Sequence, residues 1–110
     1  LDADLAVDVR FLPNPFWVEA LAPLTGNDAP VRDYVLQRTV TQKFLAKYLD
    51  LIEFLLPEYV KEGKQELVIA IGCTGGQHRS VALANHVADF IRNQGFVVYV
   101  EHRGLQNQTS

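Results

Sequence analysis

Residues 71–80 read Ile71-Gly72-Cys73-Thr74-Gly75-Gly76-Gln77-His78-Arg79-Ser80. Gly72, Gly75 and Gly76 allow sharp turns and let backbone N–H groups approach a ligand closely. The patterns on either side place this stretch between a strand and a helix, whose first N–H groups lack partners and carry the positive end of the helix dipole. Arg79 adds a fork of donors matched to phosphate oxygens. The combination predicts an anion-binding loop built from Cys73, Thr74, Gly75, Gly76, Gln77, His78, Arg79 and Ser80. The plainer reading is a tight strand-to-helix turn that only needs its glycines. The density of polar and charged side chains favours the anion. The stretch is not the nucleotide P-loop, because the lysine of G-x-x-x-x-G-K-S/T is missing.

A second chemistry has the same spacing. Cys73 is followed by five residues and then Arg79 and Ser80, as in cysteine-dependent phosphatases, and Gly76 matches the glycine common in that loop. There a thiolate attacks phosphorus while loop amides and the arginine hold the transferring group. Cys73 is catalytic only on that reading. Asp8, Asp28 and Asp33 are the upstream candidates for the general acid, and nothing in the sequence places one of them. Gly72 also stands where many such enzymes carry His. Otherwise Cys73 is a small residue at a strand end. His78 could donate to the ligand, act as acid or base, or cap the helix. His102 faces the same crevice or solvent, and His86, beside Asn85 and Asp89, belongs to a solvated helix face. Three scattered His and one Cys form no metal-ligand spacing, so neither metal nor cofactor is expected in this domain.

A second constellation is Asp8-Val9-Arg10-Phe11-Leu12-Pro13-Asn14-Pro15. If its strand neighbours the strand ending at Ile71, the two C-terminal ends open on one edge, where ligands of open α/β sheets bind. Asp8, Arg10, Asn14, Thr25 and Gly26 would then line the crevice opposite the loop. Alternatively, Asp8 pairs with Arg10 at a sheet edge and Asn14 merely makes a turn. Phe16 and Trp17 are expected in the core or at a subunit contact.

The elements that must position these residues follow from periodicity. Leu5–Phe11 reads as a first strand, stopped by Pro13 and Pro15. Phe16–Leu24 is irregular or a brief helix, and Thr25–Asp28 is a turn. A helix capped by Asp28 or Ala29, with Pro30 at its start, presents Val31, Tyr34 and Val35 on one side. A second helix opens near Thr39 or Thr41 and carries Phe44, Leu45, Tyr48, Leu49, Ile52, Leu55 and Leu56 at helical spacing. Pro57 kinks it or starts a fresh turn, and Gly63 ends it. Leu67–Ile71 is a continuous apolar run, as in a parallel strand covered on both faces. Ser80–Asn93 is a helix with Val81, Ala84, Val87, Ala88 and Ile91 inward, and Phe96–Arg103 is a last strand after Gly95. The expected fold is α/β. It has a small, mostly parallel sheet with flanking helices, and the phosphate loop lies between a strand at about 66–72 and a helix at about 79–94.

The chain has 110 residues, a net charge of −3 and a sequence pI near 5.5. That length fits one domain, expected over residues 1–105, with Gln106–Ser110 as a frayed tail. The acidic balance argues against a constitutive nucleic-acid binder but not against a local basic patch. No apolar run approaches the ~20 residues of a membrane span, so no membrane partner is expected. The single cysteine suits a reducing compartment. Starting at Leu1 directly ahead of a strand, the chain reads as the C-terminal domain of a longer protein.

Asp8–Pro15, Ala70–Val81, Leu24–Asp28, Val31–Val35 and the closing His102-Arg103 together resemble the C-terminal domain of the RapZ/YvcJ family, across nearly the whole chain. The resemblance implies a bacterial cytoplasmic protein with an N-terminal P-loop nucleotide-binding domain outside this chain, and oligomerisation. The best-known branch is an RNase adapter that senses glucosamine-6-phosphate and controls amino-sugar synthesis for the cell envelope. A phosphorylated sugar or other small anion is thus the implied ligand, its phosphate on Thr74–His78 with Arg79 and its hydroxyls or amine toward Asp8–Asn14. RNA and an RNase are partners in that branch. This chain departs from it in its negative charge and in a tail, Gly104–Gln108, without lysine or arginine.

Overall fold

A computed structural model describes residues 3–102. β1 (Leu5–Asp8) and β2 (Ile69–Gly72) pair in parallel, with Leu5 opposite Ile69 and Asp8 opposite Gly72. Between them run a 3-10 turn (Pro15–Trp17), α1 (Ala29–Leu36) and α2 (Thr39–Lys61); α3 (Arg79–Asn93) follows β2. The architecture is therefore a small α/β fold. The parallel pairing brings the C-terminal ends of both strands to one edge, where residues 9–14 and 73–78 depart.

The helices form where the apolar spacing demands. Val31 and Val35 of α1, Leu45, Ile52 and Leu56 of α2, and Leu83, Val87 and Ile91 of α3 meet in one core with Val9, Leu12 and Leu21. α3 packs against both α1 and β2. Pro30 sits in the first turn of α1, where its missing N–H costs nothing. Pro57 neither ends nor restarts α2, which runs through it to Lys61. With only one turn left beyond it, a single lost hydrogen bond is tolerated. Gly63 then takes φ +84°, the left-handed residue past the helix end.

Two expectations fail and a third is narrowed. The apolar run at 67–71 is not covered on both faces: Ile69 and Ile71 are half-buried, whereas Ala70 and Gly72 are exposed. Residues 96–102 do not form a third strand. Val98 packs on the core while Val97 and Tyr99 are 82% and 93% exposed. The period of two holds, but the segment is tied to α3 by Arg92, which donates to Val98 O at 3.1 Å, rather than by a ladder. Phe16 and Trp17 lie outside the core of this chain; they pack edge to face on each other, with Trp17 79% exposed. The 3-10 turn that carries them is pinned by buried Pro15, leaving both rings outward. Arg103 and the tail 106–110 lie outside the described residues.

Candidate functional site

The loop leaves β2 at Cys73 and enters α3 at Arg79. Gly75 and Gly76 have φ of +81° and +63°, two successive left-handed residues that L side chains resist. Successive backbone N–H groups in such a turn converge on a concavity suited to an anion. Thr74 and Gly75 are exposed, and Gly76 is partly so. Cys73 Sγ accepts the Ser80 N–H at 3.3 Å, closing the loop onto the first turn of α3. His78 occupies the N-cap position without a capping hydrogen bond from its side chain.

Its ring is turned elsewhere. His78 Nε2 donates to Ala22 O at 3.1 Å, so that nitrogen carries the hydrogen. Gln77 Nε2 donates to the same carbonyl at 3.1 Å and to Leu24 O at 2.7 Å. Both side chains thus fasten the loop's end to the 22–24 segment. Gly26 completes that junction: its N–H donates to Gln77 O at 2.9 Å. A Cβ there would collide with Ala82 N and stand 2.5 Å from His78 O. Thr25 and Gly26 therefore lie against the loop and the start of α3. The Thr25–Asp28 turn is set by Asp28, which accepts the Thr25 N–H at 2.9 Å, and by Thr25 Oγ1, which accepts the Asn27 N–H at 3.1 Å.

Arg79 is 4% exposed. Its Nη1 donates to Arg10 O at 2.7 Å and to Leu12 O at 3.1 Å, and its buried Nε has no partner. The guanidinium thus holds the 9–12 segment against the loop. A buried cation kept beside the site still contributes its field; together with the nearer Arg10 it helps keep Asp8 ionised. Asp8 itself pairs with Arg10, Oδ2 to Nη2 at 2.6 Å, and its Oδ1 accepts the Arg10 N–H. The Arg10 side chain, and next its N–H, hold the Asp8 carboxyl below the usual carboxylate range. Asn14 Oδ1 accepts the Phe16 N–H at 3.1 Å, the local turn.

The structure thus brings the loop, Arg10, Thr25 and Gly26 to one sheet edge. Asn14 starts the turn beside it, and His102 is placed apart. His102 Nε2 lies 3.0 Å from Asn85 Oδ1, on the side of α3 that faces Asn27. His86 is half-buried and lines a groove with Asn27, Arg32, Asn85 and Arg92 rather than a solvated face. Sequence reasoning missed Gln77, His78 and Arg79 as ties. Their acceptors are main-chain carbonyls more than fifty residues away in sequence, which no residue type announces. Among the described residues no group of His, Cys, Asp and Glu could hold a metal, and no helix is long and apolar enough to cross a membrane.

Residues 1–106 match the profile of the RapZ C-terminal domain. The chain belongs to that family. It is 62% identical over 106 residues to a nucleotide-binding protein of Carboxydothermus hydrogenoformans, covering 96% of the chain and 37% of the relative. Relatives of the same description in Bacillus pumilus and Thermoanaerobacter sp. are 53% identical over 109 residues and 54% over 105. These alignments cover 99% and 96% of the chain and 37% of each relative. This RapZ-family domain thus spans little more than a third of the curated relatives it matches.

Proposed function

We propose that this domain is a metabolite sensor whose loop at Cys73–Ser80 takes the phosphate of a phosphorylated amino sugar such as glucosamine-6-phosphate. The observation that carries the reading is the left-handed Gly75–Gly76 pair at the N-terminus of α3, open to solvent at Thr74 and Gly75. Loop amides and the helix end favour the phosphate, and the buried Arg79 charge adds to that potential without direct contact. Asp8 and Arg10, exposed and at the same edge, offer a carboxylate for an amine and donors for hydroxyls. The family resemblance supplies the ligand class. It also implies a regulatory output on amino-sugar and envelope metabolism in the cytoplasm, through an oligomeric protein with an N-terminal P-loop domain.

Calorimetric titration with glucosamine-6-phosphate, glucosamine and inorganic phosphate tests the reading. Heat is expected with the phosphorylated sugar, less with phosphate and least with glucosamine, and Gly75→Ala should abolish it by straining the loop. Silence with every phosphorylated ligand removes the proposal. An RNase-adapter output would require RNA affinity that falls steeply with salt.

One observation favours the phosphatase reading: Cys73 sulfur sits at a helix N-terminus and accepts the Ser80 N–H. Against it, Nη1 of Arg79 is taken by the carbonyls of Arg10 and Leu12. Aryl phosphate turnover lost in Cys73→Ser would revive it.

A further inference from the structure

The turn that walls the site is also held from its far side. Asn85 Nδ2 donates to Asn27 Oδ1 at 2.7 Å, which leaves Asn85 Oδ1 to accept from His102 Nε2 at 3.0 Å. With the Asn85 amide N–H on Asn27 Oδ1, the imidazole donates to Asn85 Oδ1. Asn27 is the residue after Gly26, whose N–H bonds the loop at Gln77 O. Three side chains therefore connect the end of the 96–102 segment to the wall of the phosphate loop. That segment is extended but unladdered. It starts with the Phe96 N–H on Ile91 O at 3.4 Å and is tied along its length by Arg92 to Val98 O. Val97 and Tyr99 stand out in solvent, so little apolar burial holds it.

We infer that residues 96–102 form a strap latched by His102–Asn85–Asn27, so that the state of the strap and the state of the phosphate loop are coupled through the Thr25–Asp28 turn. The direction of coupling follows from linkage. An occupant that orders the loop orders the turn and so favours the latched strap, and release of the strap loosens the loop by the same factor. The functional half of this inference rests on the anion-site reading above; the latch itself does not.

Backbone hydrogen exchange on the whole chain tests both halves. The amides of Gly26, Asn27 and Asp28 are each hydrogen-bonded within the junction and report on the turn. His102→Ala lies outside the site and should speed exchange at these three amides about fivefold, the equivalent of one lost hydrogen bond, as well as at 98–102. His102→Gln, which can still donate to Asn85, should restore wild-type rates. Arg92→Ala removes the bond to Val98 O, along with the Asp89 ion pair within α3, and should speed 96–100 while sparing the turn. Unchanged turn rates in His102→Ala, or equal acceleration by Arg92→Ala, overturn the latch. With inorganic phosphate, protection should appear at 74–80 and at 98–102. Protection at 74–80 alone overturns the coupling but keeps the site. Protection at neither removes the site reading, while the His102→Ala comparison still decides the latch.

Discussion

Asp4 and Asp8 lie at opposite ends of one short strand, and both carboxyls are held below the usual range by a cation. Their partners differ in kind. Asp4 bonds Lys64 Nζ at 2.8 Å with one oxygen and the Val68 N–H at 2.8 Å with the other, so it joins β1 to the approach of β2 across sixty-odd residues. Asp8 bonds only Arg10, two residues on. The Asp4–Lys64 side chains are 28% and 31% exposed, against 52% and 64% for Asp8 and Arg10. A carboxylate that spans elements is spent on the fold; one paired with its own neighbour at an open edge can exchange that neighbour for a ligand. At the Asp8 end the architecture is held instead by Arg79, Gln77 and His78, which reach main-chain carbonyls and leave the exposed charges unassigned.

Replacing Arg79 breaks this division most severely. Arg79→Met removes the donors from Arg10 O and Leu12 O in a buried setting and should cost about 3 kcal/mol in denaturant unfolding, with weaker phosphate affinity. Arg79→Lys should recover only part, since an ammonium on a longer, flexible stem does not reproduce the fork. Gly26→Ala should follow at about 2 kcal/mol, because the added methyl meets backbone atoms of α3 that cannot swing aside.

Next comes the direct contrast. Asp4→Asn should lower the melting temperature clearly, whereas Asp8→Asn should leave it nearly unchanged and weaken binding of the amino sugar more than of inorganic phosphate. Equal melting shifts would dissolve the distinction. Acid unfolding sharpens it. The folded carboxyls titrate below their unfolded value of about 3.8, so their contribution is complete above that value and is lost as pH falls through the folded value. Asp4→Asn should flatten that acid limb. The smallest effect concerns His102, whose imidazole burial pushes below 6.5. Its contribution is complete above 6.5 and lost as pH falls through the lower folded value, so protection at 98–102, measured against the intrinsic exchange rate at each pH, should fall on acidification, less so in His102→Gln.

The parts legible in the sequence were those coded by residue type at short range. Pro30 and Gly63 marked helix ends, the spacing of Val31, Val35, Leu45, Ile52 and Leu56 marked core faces, and Gly75-Gly76 ahead of a helical pattern marked the loop. The Leu5 and Ile69 pairing was open from spacing alone, and the structure closed it. What stayed hidden depends on backbone acceptors. Guanidinium beside glycines suits phosphate, which made Arg79 legible as a donor, but nothing in residues 10 and 12 reveals that their carbonyls take its Nη1. Phe96–Val100 alternates as a strand should, yet alternation specifies an inward face and not a hydrogen-bonded neighbour.

That reliance on carbonyls makes the constraint one-sided. A side chain that grips another side chain ties two positions of the sequence together, and one cannot drift without the other. Gln77 and His78 grip the oxygen of Ala22, and Gln77 also that of Leu24, an oxygen every amino acid carries. A saturation scan should therefore find position 22 permissive and position 77 restrictive, although the two are joined by the same hydrogen bond.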